Sequence, residues 1–253
     1  VCFNLKWQAG GARLIFSLAQ ILKKNGNKVV IYTPEFRNDV FPELCSGLDI
    51  EVVPPKYPFE WTKNPVNIFE KIIHKIRQER LHIDTAQRIA EFMDKDFEIV
   101  NLHDFAYKAG FFYKKINPAA KIVWTENDPP YLYLPKENLL FDILSRLFNV
   151  WKIFCARKYF KAIDIVAVLD FYNRDWAKKH GLNPVVVRSG VDFDKFYWPV
   201  KNYKEPKKSM LILGIGALNK YRRFEDIVYA VKYLRSWDYD AKAIIVCKDI
   251  WDE

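Results

Sequence analysis

Val186-Val-Arg-Ser-Gly190-Val-Asp192-Phe-Asp194-Lys-Phe196 closes one run of alternating strands and helices, and a second run opens after the charged linker Lys201 to Lys208. Ahead of it, Ile163 to Leu169 reads as a strand, Tyr172 to His180 as a short helix ended by Gly181, and Pro184 to Arg188 as the strand that delivers the chain into the quoted stretch. Behind it, Ser209 to Leu213 reads as a strand, Gly214-Ile-Gly216 as a turn, Phe224 to Leu234 as a helix and Ala243 to Cys247 as a strand. Strand, helix and strand in order is the pattern of a parallel sheet with right-handed crossovers. The same unit on both sides of one linker predicts two α/β domains, residues 1–199 and the beginning of a second over 200–253.

The amino-terminal half carries the pattern further. Val1-Cys-Phe-Asn-Leu5 reads as a buried strand, Gln8-Ala-Gly-Gly11 as a glycine turn, and Ala12 to Asn25 as a helix with Leu14, Ile15, Leu18, Ala19 and Leu22 on one face. Gly26-Asn27 ends that helix, and Lys28 to Thr33 is a second strand. Ile50 to Val53 is the next, followed by a Pro-rich loop from Pro54 to Pro65, helical stretches near 66–80 and 83–94, and strands at Glu98–Leu102 and Ala120–Thr125. The polar residues His103-Asp104 and Glu126-Asn-Asp128 stand at the carboxyl ends of strands, where open α/β sheets bind ligands.

Composition removes several function classes. Half of the 253 residues are apolar, yet no run approaches the roughly 20 uncharged apolar residues of a membrane span. No basic n-region with an apolar h-region precedes the first strand, so the start reads as internal or trimmed rather than as a signal peptide. The four cysteines, at 2, 45, 155 and 247, form no CxxC pair, and His74, His82, His103 and His180 are equally dispersed, so neither zinc nor redox chemistry is signalled and a reducing, cytoplasmic setting fits. The net charge of +9 divides as +6 over residues 1–199 (29 basic, 23 acidic) and +3 over 200–253 (11 basic, 8 acidic). Charge so spread, with aromatics inside apolar segments rather than between arginines, argues for a mild anionic preference and against a nucleic-acid arm.

Residues 137–162 form a long helical segment with Leu140, Ile143, Leu144, Leu147, Trp151 and Phe154 on a wide apolar face and Lys152, Arg157, Lys158 and Lys161 towards its end. Packing of that face on the sheet, with the cations complementing the helix dipole, is the simpler expectation. A peripheral contact with the inner face of a membrane is the alternative.

Gly10-Gly11 between a strand and a helix offers unpaired amides to an anion. In the second run Gly214-Ile-Gly216 does not complete GxGxxG, which disfavours a dehydrogenase, while Lys220-Tyr-Arg222-Arg223 gathers three cations just after it, as a diphosphate clamp needs.

Together these segments resemble the retaining, nucleotide-sugar glycosyltransferases of the two-domain GT-B architecture, in particular glycosyltransferase family 4, truncated at the carboxyl end. Gly10-Gly-Ala-Arg13 looks like the family's first glycine loop and helix, Gly190-Val-Asp192 with Phe196 like its G-V-D-x-x-x-F motif, and Leu211 to Ala230 like the start of its donor-binding domain. Ala217 stands in place of the family's arginine and Arg222-Arg223 in place of Lys-Gly; Asn127 stands where many members have histidine. Asp192-Phe-Asp194 matches the DxD metal motif of another glycosyltransferase class, but Gly190 and the flanking Phe193 and Phe196 suit a connection better than a metal site.

The resemblance implies a GT-B-like fold, an acceptor-side Rossmann-like domain followed by the start of a nucleotide-sugar domain. It implies transfer of a sugar, with retention and without a metal or other cofactor, from a nucleotide-diphosphate sugar to a glycan, lipid-linked or small-molecule acceptor. The residues it points to are Asp128 and His103 for catalysis, and Gly10, Gly11, Arg13, Glu126, Asn127, Lys220, Arg222 and Arg223 for substrate binding. The competing expectation is a non-catalytic α/β module that holds phosphorylated ligands or a membrane surface.

Overall fold

The computed structural model describes residues 1–56, 68–127, 139–190, 209–217 and 222–248. The chain divides into two units, Val1–Gly190 and Val191–Glu253.

In the first unit the strands form where β-branched and aromatic residues cluster: β1 (Val30–Thr33), β2 (Asp49–Val52), β3 (Ile99–His103), β4 (Lys121–Glu126), β5 (Ile165–Val168) and β6 (Pro184–Val186). β1 pairs with β2, and β3 to β6 form a four-stranded sheet in sequence order; every pairing is parallel. The expected first strand, Val1 to Leu5, is extended and irregular, and it stitches the two sheets together. Val1 donates to Asn101 O and accepts from His103 N on one side, while Cys2 N donates to Tyr32 O and Leu5 bridges Phe36 on the other.

Helices connect the strands and cover both faces. α1 (Gly10–Lys24) packs Ala12, Ile15, Phe16 and Ala19 against Cys2, Leu5 and Ile31. It ends at Gly26, whose φ of +86° only glycine adopts without strain. After α2 (Pro42–Cys45), the helices α3 (Ile68–Phe92), α4 (Lys108–Ile116), α5 (Leu139–Phe160) and α6 (Phe171–Lys179) complete the unit. Ala86, Ile89, Ala90, Val100, Leu102, Tyr107, Tyr113, Ile122, Trp124, Tyr159 and Phe160 form the larger core with them. α4 lies so close to the sheet that a Cβ on Gly110 would stand 2.6 Å from Ile122 Cγ2 and 2.9 Å from Leu102 Cδ1. A cavity of about 400 Å³ runs between β1 and β3, with Ile15, Ala19, Val30, Met93, Val100 and His103 in its wall.

Four more expectations are corrected in this unit. The glycines at 10 and 11 are the first turn of α1 rather than a loop before it. The two stretches near 66–80 and 83–94 are one 25-residue helix, because no Gly or Pro interrupts residues 81–83. α4, in the run Phe105 to Tyr113, was not foreseen: apolar residues there are too continuous to show a helical period. The wide apolar face of α5 is not wholly packed on the sheet, since Ile143, Leu147, Trp151 and Phe154 are solvent-exposed and the helix is seated instead through Ala156, Tyr159 and Phe160.

In the second unit β7 (Ser209–Ala217) pairs in parallel with β8 (Asp240–Lys248), with α7 (Phe224–Ser236) between them in the chain. Gly214 and Gly216 lie within β7, not in a turn. A Cβ on Gly214 would meet Ile227 Cδ1 at 2.5 Å, so that glycine is what lets α7 sit on the strand. The Asp192 and Asp194 pair and Lys220 lie outside the described residues.

Candidate functional site

The carboxyl edge of the four-stranded sheet gathers polar groups that are far apart in sequence. β3 runs out at His103 and the chain turns at Asp104, whose φ of +48° opens a 3₁₀ turn (Asp104–Tyr107) that feeds into α4. Trp124, buried in β4, donates its indole N–H to Asp104 O at 3.0 Å. Asp104 Oδ1 accepts from the Asn127 backbone N–H at 3.4 Å and from Asn127 Nδ2 at 3.2 Å. Asn127 O in turn accepts from Asn173 Nδ2 at 3.5 Å, and Asp170 caps α6 by accepting from Asn173 N at 2.7 Å. The ends of β3 and β4 and the start of α6 after β5 are thereby tied into one polar network, with Asn127 at its centre. Asp128, the next residue, lies outside the described residues.

His103 and Glu126 belong to different surroundings. Leu102 pairs with Trp124 and His103 with Thr125, and side chains alternate along a strand, so His103 and Glu126 point to opposite faces of the sheet. Glu126 is fully buried on the side of Ile122 and Trp124. His103 is 4% exposed and lines the cavity beside β1, and its Nδ1 has no hydrogen-bond partner among the described residues. Burial pulls its pKa down to about 3, so the imidazole is neutral over the working range. Asp104 turns its carboxylate to Asn127 and not to this imidazole, so the adjacent pair forms no dyad.

Gly10, Gly11 and Arg13 lie on the first turn of α1. Ala9, the N-cap, is extended and supplies no side-chain cap, and no acidic residue occupies the first turn. Nothing stands within 4 Å of the position a Cβ would take on Gly10 or Gly11, and Arg13 is exposed. Uncapped amides at a positive helix end are the arrangement in which an anion can approach the backbone.

In the second unit Arg222 lies against β7, its Cδ and Nε 3.8 Å from where a Cβ of Gly216 would be. Arg223 stands at the N-cap of α7 with φ of +49° and gives its guanidinium to Asp226 Oδ1 at 2.9 Å. Arg223 is therefore held by its own helix, and Arg222 lies along the glycine strand.

Sequence reasoning missed Asp170 and Asn173, whose spacing is that of a helix cap, and it missed Lys108. Lys108 follows the 3₁₀ turn, is fully buried, and keeps Nζ 3.1 Å from Glu79 Oε1 on α3. Burial lowers its pKa and Glu79 offsets part of that effect. A lone lysine in the apolar run Phe105 to Tyr113 was the available signal. No group of three or more His, Cys, Asp or Glu residues among the described ones is placed to hold a metal.

The profile of Glycosyltransferase Family 4 matches residues 9–195. The chain belongs to glycosyltransferase family 4. Its fold agrees with that membership: a glycosyltransferase from Rickettsia africae ESF-5 superposes with a TM-score of 0.52 over 98% of this chain and 68% of that one, at 15% identity. The fold is therefore the GT-B-like, Rossmann-type α/β arrangement, here with parallel sheets in both units. No curated protein matches the chain. As a family 4 glycosyltransferase it handles a sugar donor and an acceptor, and the polar strand ends lie inside the matched region.

Proposed function

We propose that this glycosyltransferase moves a sugar from a nucleotide-diphosphate donor to a glycan, lipid-linked or small-molecule acceptor, with retention of anomeric configuration and without a metal. In this reading residues 1–199 serve the acceptor and 200–253 begin the donor domain. The observation that carries it is the Asp104–Asn127–Asn173 network at the carboxyl edge of a parallel sheet, inside the stretch that matches the family.

Each residue has a chemical task. Departure of the nucleoside diphosphate builds negative charge, and fixed cations stabilise it where a metal would otherwise be needed. Arg222 is the principal cation, with Lys220 and Arg223 supporting it. The amides of Gly10 and Gly11 and the side chain of Arg13 add positive potential at the start of α1. At the strand ends Asn127 and Asp128 hold acceptor hydroxyls, and Glu126 sets the strand end that presents them. His103, held neutral, is an acceptor of a hydrogen bond from a sugar hydroxyl. The departing phosphate takes the proton of the attacking hydroxyl.

Calorimetric titration of the full-length protein with a panel of nucleotide sugars tests the donor assignment. One donor should bind and Arg222→Ala should weaken it at least about tenfold, the scale of a lost charge-assisted contact. Binding of none, or binding indifferent to Arg222→Ala, would overturn it.

A further inference from the structure

We propose that α5 is a docking surface for an anionic lipid bilayer. Ile143, Leu147, Val150, Trp151 and Phe154 are between 46% and 68% exposed. At 3.6 residues per turn they fall within an arc of about 100° on the helix, so they form one continuous apolar stripe rather than scattered surface residues. A stripe of five large apolar side chains open to water marks an interaction site in a folded protein.

The charges say what covers it. Arg146, Arg157, Lys158 and Lys161 border the stripe and are exposed, and Arg157 lies over the Phe154 ring at 6.0 Å. The one carboxylate of α5, Asp142, is 7% exposed and accepts from Arg146 Nε at 3.0 Å, so Arg146 is already paired and Arg157, Lys158 and Lys161 carry the positive charge of the border. Lys178 and Lys179, in the last turn of α6, add two more cations; the Lys179 and Arg157 charges both act on His180, which places them around the same residue. An apolar stripe with cations along its border and a tryptophan within it is the pattern of a helix lying in the plane of a lipid interface. Pairing with a second copy of the chain would bring these like charges together, whereas an anionic leaflet neutralises all of them. No helix among the described residues is long and apolar enough to cross a membrane, so α5 lies on the bilayer.

The inference deepens the proposed function by selecting the lipid-linked class of acceptor. α5 ends at Phe160, just before β5 begins at Ile165, so its apolar half starts on the side of the sheet where Asn127 stands. Docking through this stripe would bring a membrane-anchored acceptor to that edge.

Flotation of the chain with vesicles of phosphatidylcholine alone and of phosphatidylcholine with phosphatidylglycerol tests the proposal without any sugar, so its failure leaves the transfer reading untouched. The chain should float with the anionic vesicles, less so at high salt. Leu147→Gln combined with Phe154→Gln should abolish flotation while the far-ultraviolet spectrum and Tm stay unchanged, because both side chains are already exposed. Arg157→Ser, Lys158→Ser and Lys161→Ser together should weaken partitioning about a hundredfold. Brominated acyl chains should quench the emission of the chain, and Trp151→Phe should remove most of that quenching. Absence of flotation with anionic vesicles would overturn the proposal. So would unchanged binding by the glutamine variant, or a dimer in light scattering that this variant dissolves.

Discussion

Asp104 holds Asn127 through a single carboxylate oxygen, which accepts both the backbone N–H at 3.4 Å and the side-chain N–H of that residue at 3.2 Å. The two residues are 23 positions apart and meet because β3 and β4 end side by side. Asp104 manages this from a left-handed backbone conformation, φ +48°, that aspartate tolerates better than most residues.

The pair can be dissected. Asp104→Ala removes both hydrogen bonds and keeps the strained backbone; Asp104→Gly removes the bonds and relieves about 1 kcal/mol of that strain. Transfer should fall by about 10- to 100-fold in both, as displacement of a positioned group does, while Tm falls only in the alanine variant. Steady-state kinetics beside thermal melts distinguish this from a purely structural role, in which activity would recover with Tm in the glycine variant.

Two glycine substitutions have opposite expected effects on the fold. Gly110→Ala drives a methyl group into Ile122 and Leu102 and should cost about 1–3 kcal/mol. Gly11→Ala meets nothing within 4 Å in a helical position and should leave stability equal or raised by up to about 1 kcal/mol. A fall in donor affinity for Gly11→Ala without loss of Tm would mark the start of α1 as a binding surface.

Acid should destabilise the chain in a defined window. His103 and His82 are both buried, and burial chiefly holds each pKa at about 3, against an ordinary value of 6.5. The unfolded chain takes up protons at higher pH than the folded one, so stability is full above about pH 6.5 and drains away as pH falls towards 3. Tm measured from pH 8 to 4 should decline below 6.5, and less steeply in His103→Asn.

Lys108 and Glu79 form a pair whose halves are unequal. Lys108→Met keeps the volume and removes a fully buried charge, leaving a carboxylate that is 21% exposed to water; the expected change in stability is under about 1.5 kcal/mol. Glu79→Ala strands the buried ammonium and should cost about 3 kcal/mol. Chemical denaturation of the two variants measures the difference.

Much of the fold was legible because each layer leaves a local mark. β-branched runs such as Ile165 to Val168 gave the strands, and Gly26 and Gly181, with φ of +86° and +77°, gave helix ends. What could not be read locally was lost. The apolar run through Tyr107, Lys108 and Gly110 hides α4, since strand and buried helix look alike without a period. Gly214 and Gly216 suggested a turn, yet they are strand residues made small for α7. At the candidate site the strand-end positions of Asn127 and Glu126 were legible, but the partnership of Asn127 with Asp104 and Asn173 depends on register between strands. The separation of His103 from Glu126 likewise follows from alternation across paired strands, which spacing alone does not display. The exposed stripe on α5 looks the same in sequence as a stripe that faces a core.

The most direct test of sugar transfer is proton NMR of the product, followed in time from mixing, once a donor has been identified by titration. The expected first-formed product carries the same anomeric configuration as the donor, with the rate unaffected by a metal chelator and reduced by Arg222→Ala. An inverted first product, or no transfer from any nucleotide sugar that binds, would contradict it.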